Sequence, residues 1–146
     1  MASDEKRLEN ESRAAIIKAL ASRMLHKHYC ENDVEALIEH FDEQMIWLGA
    51  AETEFAVGGK RVAEIFRQFA GLVPLCQLTQ EEYEVIELAP EVTLCSGRVW
   101  ITTDPSTRIY LRVHQRFSLI FRWEGDTPAA VIFTSPTPMW KCKKTT

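Results

Sequence analysis

The stretch Glu43–Phe69, EQMIWLGAAETEFAVGGKRVAEIFRQF, decides how the rest of the chain is organised. Its apolar run Met45–Leu48 predicts a short buried strand, and Gly49 marks the turn that ends it. A helix is predicted from about Arg61, after the Gly58-Gly59 break. Its apolar residues share one face: Val62, Ile65, Phe66 and Phe69. We expect this strand and this aromatic-faced helix to line and cover an internal pocket.

The bulk composition indicates a soluble globular domain. The 146 residues are 46% hydrophobic and 26% charged, which is ordinary for a folded protein. A net charge of -4 argues against general nucleic-acid binding, which needs a basic surface. The sequence has neither a membrane-spanning apolar run nor a signal peptide. We therefore expect a cytoplasmic protein with no nucleic acid and no membrane among its partners.

Two helices are predicted before the decisive stretch. Residues 4–29 contain no Gly or Pro and repeat apolar residues at three- and four-residue spacing, as in an amphipathic helix. Asn32 and Glu35 have the spacing of a capping box, which predicts Asn32 as the cap of a short second helix to about His40.

Strands dominate the second half of the chain. Segments rich in Val, Ile, Thr and aromatic residues alternate with turn compositions, and short links favour antiparallel hairpins: Tyr83–Leu88, Val92–Thr103, Arg108–Trp123 and Ala129–Ser135. The predicted class is α+β, with helices packed on one face of an antiparallel sheet. We expect one domain over residues 1–140 and a disordered tail, or a junction, over residues 141–146.

The segment Arg108–Trp123 predicts which way the sheet faces. Its odd positions are mostly apolar and its even positions mostly basic, so we expect the odd set to face inward. A strand of this length must curve strongly or carry a bulge. A long curved sheet around helices encloses an interior, which predicts a pocket.

Three pieces of sequence together resemble a SnoaL-like member of the nuclear transport factor 2 (NTF2-like) superfamily, the cone fold of ketosteroid isomerases and polyketide cyclases. They are Asp42–Gly49 with the Glu52, Phe55 and Gly58-Gly59 that follow it, Ser96–Val99, and Ile132–Pro136. The resemblance covers about residues 12–138. It implies a hydrophobic small-molecule partner, often in a sensory or regulatory module. Phe133 stands where many relatives have a histidine, so any role of that histidine is absent.

Catalysis of the ketosteroid-isomerase type needs an interior carboxylate and a donor for the developing oxyanion. The predicted inward faces contain no Asp or Glu. Asp42, at the mouth of the first strand, is a weak catalytic candidate, and a surface cap or ion pair explains it better. An isomerase- or cyclase-like enzyme is therefore the weaker hypothesis.

Nine residues are predicted to contact a ligand. Aromatic side chains would form the apolar wall, and Arg98 with Gln115 the polar contacts. His114 would join them only if a bulge near Gln115 turned it inward, and Arg98 faces either the ligand or the polar side of the sheet. The set is Trp47, Phe55, Phe66, Phe69, Arg98, Trp100, His114, Gln115 and Phe117.

No metal or cofactor is predicted. His26 and Cys30 share a helix face, but two ligands do not complete a zinc site. Cys30, Cys76, Cys95 and Cys142 have no CxxC spacing, so we expect reduced thiols in or near the core.

The outward face of the sheet is predicted to pair with a second copy. Its arginines alternate with Tyr110 and Ile120, and the glutamates of a neighbouring strand offer cross-strand partners. Three hypotheses result: a non-catalytic ligand-binding homodimer, an enzyme of the cyclase type, and a dimerisation module with a solid core.

Overall fold

The computed structural model describes residues 2–135, so the predicted tail at residues 141–146 lies outside the described residues. Three helices are present: α1 (Ala2–Tyr29), α2 (Val34–Ile38) and α3 (Gly59–Phe69). Six strands follow the order β1 (Phe41–Leu48), β2 (Phe55–Val57), β3 (Cys76–Ala89), β4 (Val92–Thr103), β5 (Arg112–Glu124) and β6 (Thr127–Thr134). A single 3-10 turn, Pro105–Thr107, separates β4 from β5.

The strands form one open sheet in the order β2-β1-β6-β5-β4-β3, with the helices on one side. The α+β class is confirmed. The expectation of a wholly antiparallel sheet is wrong at one position, because β1 and β6 are parallel. The β5–β6 hairpin places β6 in the middle of the sheet, between β5 and β1. β6 runs antiparallel to β5, and β1 in turn pairs with β2 in antiparallel orientation.

The hydrophobic core lies between α1 and the inner face of the sheet. The helix buries Ile17, Ala21, Met24 and Leu25, which recur at the predicted helical spacing. The alternation predicted for β5 is confirmed, since the odd positions are buried: Gln115, Phe117, Leu119, Phe121 and Trp123.

The segment predicted as one strand from Arg108 to Trp123 is shorter in the structure. The Asp104 carboxylate accepts hydrogen bonds from the Ser106 amide at 2.9 Å and hydroxyl at 2.6 Å, which forms the 3-10 turn. Arg108 then adopts a left-handed φ of 58°, and the Thr103 hydroxyl accepts from the Leu111 amide at 3.0 Å. These bonds keep residues 108–111 out of the ladder, so β5 begins at Arg112.

The irregularity expected in β5 occurs where it pairs with β6, between Ile120 and Phe121, and β3 carries a further one. Pairing between β4 and β5 is continuous, whereas the β3 register shifts between Thr79 and Glu82. Gln80 has a φ of 53° there, and one extra residue of β3 stands opposite Val99. This bulge turns Glu81 towards the helix side of the sheet.

The cap of α2 is Asp33 and not Asn32, which corrects the expectation from sequence. The Asp33 carboxylate accepts from the Ala36 amide at 3.2 Å. Asn32 has a left-handed φ of 53°, and its side-chain amide donates to the Val73 carbonyl at 3.1 Å. Asn32 therefore fixes the α1–α2 link to the segment that follows α3.

The strand and the helix predicted in the decisive stretch are present with wider limits, but the short strand β2 lies between them where a loop was predicted. The strand begins at Phe41, and α3 begins at Gly59. A side chain at Gly59 would overlap the Asp42 carbonyl oxygen, so the glycine lets the start of α3 lie directly against β1.

Candidate functional site

A small apolar cavity lies between the three helices and the sheet. Its volume is about 20 Å³, which is room for about one water molecule. Its lining carries neither a carboxylate nor a Lys or Arg: Met24, Leu25, His28, Tyr29, Leu37, Phe41, Met45, Phe66, Leu119 and Phe133. The interior is thus largely filled by its own side chains.

The Phe66 ring of α3 is the centre of an aromatic cluster in this interior. Its centroid lies 5.3 Å from that of His28, 5.6 Å from that of Phe41 and 5.5 Å from that of Trp47, each in edge-to-face geometry. Such pairs add to the stability that burial alone provides. Phe66 therefore connects α1, β1 and α3.

Two polar atoms in this cluster have no hydrogen-bond partner within the described part of the chain. They are Nε2 of His28 and Nε1 of Trp47, both sealed from solvent. Burial lowers the pKa of His28 to about 4, so its imidazole is neutral at neutral pH. Buried polar atoms of this kind are normally paired. Of the two residues only His28 lines a cavity, so its Nε2 is the candidate for ligand contact.

A second small cavity lies at the mouth between the helices. Its volume is about 10 Å³. It is lined by His28, Asn32, Val34, Phe66, Phe69 and Ala70. His28 and Phe66 line both cavities, so these two side chains separate the interior from the helix surface.

The predicted aromatic wall is partly assembled here. Trp47 and Phe66 are buried, and the half-buried Phe69 lies 6.4 Å from Trp47 between ring centroids. Phe117 is buried elsewhere, with its ring centroid 5.7 Å from that of Tyr83. Phe55 on the edge strand β2 is 58% exposed and does not line the interior.

Three of the predicted contacts lie on the outer face of the sheet, away from the interior. Arg98 points outward, with its Nε 2.8 Å from Oε2 of Glu82. Trp100 stacks on His114 with centroids 4.3 Å apart. The guanidinium carbon of Arg112 lies 4.2 Å from the Trp100 ring centroid. The unbroken β4–β5 register keeps all of them outward, so the structure does not bring them together with Trp47 and Phe66.

Gln115 and Asp42 have partners within the protein. The buried Gln115 side-chain amide donates to the Arg116 carbonyl at 3.0 Å and to the Ser135 hydroxyl, beside the end of β6. The Asp42 carboxylate accepts from the Gln44 amide at 2.8 Å and lies 3.9 Å from Arg122. Asp42 thus has the surroundings of a local turn and a surface ion pair.

The carboxylate of Glu81 was not among the predicted site residues. The β3 bulge turns it towards α1. Its Oε1 accepts from the Ser22 hydroxyl at 2.8 Å and the Tyr83 hydroxyl at 2.7 Å, and its Oε2 lies 3.2 Å from His26 Nε2. Burial alone would raise the pKa of Glu81, but these hydrogen bonds lower it below its usual value. The group lies at the α1–β3 contact and does not line the cavity.

His28 was also missed, although the α1 pattern contains a signal for it. It lies four residues after Met24, on the apolar face of the helix.

The three cysteines among residues 2–135 lie in or near the core. Cys76 and Cys95 are buried and Cys30 is half-buried, and burial raises the pKa of both Cys76 and Cys95 to about 11. Within this part of the chain, no group of three or more His, Cys, Asp or Glu residues is placed to hold a metal ion.

No protein-family profile and no curated protein sequence matches the chain. Solved structures do match. An NTF2-like protein of unknown function from Pseudomonas putida has a TM-score of 0.69 at 12% identity, over 93% of this chain and 97% of that one. A ketosteroid isomerase-like protein from Erwinia carotovora atroseptica has a TM-score of 0.67 at 16% identity, over 85% and 96%. A cystatin-like fold protein from Nostoc punctiforme has a TM-score of 0.66 at 12% identity, over 82% and 86%.

These likenesses establish the fold: the chain has the NTF2-like α+β architecture that its sequence motifs resemble. Activities within one fold differ widely, so function must be argued from the site. No helix among residues 2–135 is long and apolar enough to cross a membrane.

Proposed function

We propose that this NTF2-like chain is a non-catalytic small-molecule-binding domain of the SnoaL-like kind, with a sensory or regulatory role in the cytoplasm. The observation that carries the proposal is the pair of sealed, unpartnered polar atoms, His28 Nε2 and Trp47 Nε1, in an aromatic interior. A solid core gains nothing from such atoms, because each buried polar group without a partner costs about 1–3 kcal/mol. A ligand that hydrogen-bonds them recovers that free energy.

The ligand of this proposal displaces protein side chains when it binds. The cavity has room for about one water molecule, so an organic molecule needs the rings of α3 to move. The ligand-contacting residues we propose are Trp47, Phe66 and Phe69, with His28 added. Arg98, Trp100 and His114 face the opposite side of the sheet and belong to a different surface.

An enzyme of the isomerase or cyclase type is supported less well. Glu81 is a carboxylate within hydrogen-bond distance of both Tyr83 and His26, which is the kind of grouping that proton transfer uses. Its pKa is lowered by these donors, whereas a general base works best with a pKa near the operating pH. Its bonds join α1 to β3, which favours a structural role.

We also propose that the domain is a homodimer through the outer face of the sheet. Six apolar side chains stand in register across all six strands, and we refer to them as the outer apolar row: Ile86, Leu94, Ile120, Ile132, Ile46 and Val57. Ile86 is 55% and Val57 is 59% exposed at the two ends of the row. The four residues between them are half-buried, and a continuous apolar row that reaches solvent on a sheet face is typical of a protein interface.

Native mass spectrometry of the protein purified from its own source tests the binding proposal. We expect a small molecule that stays bound under native conditions and is released on denaturation. Leu119→Phe, which adds volume at a cavity-lining position, should reduce the bound fraction, whereas Phe55→Leu on the exposed edge strand should not. No released compound, together with no thermal shift from a library of neutral aromatic and alicyclic compounds, would favour the solid-core dimerisation module.

A further inference from the structure

The two small cavities have the rings of Phe66 and His28 in common. Phe66 and His28 line both of them, and the Phe66 centroid lies 5.3 Å from His28 and 5.5 Å from Trp47. If the Phe66 ring moves aside, the cavities join into a space about one six-membered ring larger. That space is lined by His28, whose Nε2 has no hydrogen-bond partner within the described part of the chain.

The charge of this space restricts the ligand. Neither cavity is lined by a Lys, Arg, Asp or Glu. The His28 ring keeps a partly accessible edge, but its Nε2 is sealed, and desolvation keeps the imidazole neutral. A carboxylate or phosphate would be buried here without a counter-charge, which is strongly unfavourable. A purely apolar molecule would leave Nε2 without a partner.

From this geometry we infer the ligand class: a neutral molecule with a single aromatic ring and one hydroxyl or amine group, which hydrogen-bonds His28 Nε2 while its ring replaces the Phe66 ring. This inference rests on the proposed binding function and specifies its chemistry. His28 is then the residue that distinguishes such ligands from anions and from plain hydrocarbons.

The test compares three probes of similar size at pH 7: phenol, toluene and benzoate. Binding is measured by isothermal titration calorimetry and by ligand-detected NMR. We expect phenol to bind the wild-type protein about tenfold more tightly than toluene, the effect of one buried hydrogen bond. Benzoate should show no binding at concentrations at which phenol saturates.

Three variants separate the roles of the two side chains. Phe66→Ala opens the ring-sized space permanently, and phenol should bind it at least tenfold more tightly than it binds the wild type. His28→Phe, alone or with Phe66→Ala, should abolish the preference for phenol over toluene. His114→Phe, the same change on the outer face, should preserve that preference.

The outcomes distinguish this inference from the proposed function. If none of the probes binds either the wild type or Phe66→Ala, the assigned ligand class is overturned, whereas the proposed binding function fails only if native mass spectrometry and the compound library also find no ligand. If phenol and toluene bind equally well, or if benzoate binds best, the interior binds ligands but the assigned ligand class is overturned. A preference for phenol that persists in His28→Phe would remove His28 from the site.

Discussion

Tyr83 donates its phenolic hydrogen to Oε1 of Glu81, two residues earlier in β3, over 2.7 Å. The same oxygen accepts the Ser22 hydroxyl of α1 at 2.8 Å. The carboxylate therefore links the longest helix to the edge strand β3 through a bulge. The arrangement predicts how the protein responds to acid.

Replacing Glu81 by Gln should destabilise the fold by about 1–2 kcal/mol, because hydrogen bonds to a charged acceptor are exchanged for weaker neutral ones. The pKa of Glu81 is lowered in the fold, so its stabilisation is complete above the ordinary value of 4.5 and is lost as the pH falls below it. Urea unfolding at pH 7 and at about pH 3.5 measures this. Glu84→Gln on the outer face should change the free energy of unfolding by less than about 0.5 kcal/mol. Equal effects of the two variants would contradict the prediction.

His28 should give the protein a second and separate acid sensitivity. Its pKa falls from 6.5 to about 4 on folding, so the unfolded chain binds a proton first as the pH drops. Stability is complete above pH 6.5 and decreases towards pH 4, by at most about 3 kcal/mol at 1.36 kcal/mol per unit.

Thermal unfolding between pH 7.5 and 4.5 checks this prediction. His28→Phe should flatten the dependence of the melting temperature on pH, and Met24→Leu, a non-titratable change beside the same cavity, should leave it unchanged. Part of the slope should remain, because burial also lowers the pKa of His40. An unaltered slope in His28→Phe would show that the imidazole is protonated inside the fold.

Gly97→Ala should be costly although the position lies within a regular ladder. A Cβ there would overlap the Glu82 carbonyl oxygen and lie 2.8 Å from Cζ of Phe117. Overpacking against backbone should destabilise the protein by about 1–3 kcal/mol. Denaturant unfolding measures this cost, and Thr102→Ala, on the outer face of the same strand, controls for a general effect on β4. A neutral Gly97→Ala would mean that β3 can move away from β4.

A charged side chain introduced into the outer apolar row should abolish self-association. Ile120→Lys is central in the row, between Leu94 and Ile132, and two such lysines would face each other near a two-fold axis. Analytical ultracentrifugation should find a dimer for the wild type and a monomer for this variant. Leu72→Lys, at a 52% exposed position after α3, is the control and should remain dimeric. A monomeric wild type at 100 µM would exclude the proposed interface.

Local alternation was enough to predict the orientation of β5. Gln115 and Phe117 face inward and His114 faces outward, as the two-residue period requires. The alternative of an outward Arg98 is the one in the structure, where Glu82 pairs with it. Helical spacing likewise predicted the buried face of α1, and the strand motifs led to the NTF2-like fold. These features depend on near neighbours in the chain.

Features that depend on distant segments could not be predicted in this way. The bulge that turns Glu81 inward has no signature in its own residues, which are simply polar. The α2 cap moved from Asn32 to Asp33 because the Asn32 amide bonds to Val73, a contact across the fold. His28 follows Met24 by four residues, so helical spacing indicates its inward face, but its contact with Phe66 depends on α3, which is distant in sequence.

The parallel pairing of β1 with β6 has a consequence for how the chain reaches this structure. The paired residues Phe41 and Ala130 are far apart in sequence, so the centre of the sheet closes only after almost the whole described chain is available. Pairings of such high contact order slow folding, because the loop must close before the contact stabilises it. Until β6 pairs with them, β1 and β5 each have an open edge, with which a strand of another chain could pair.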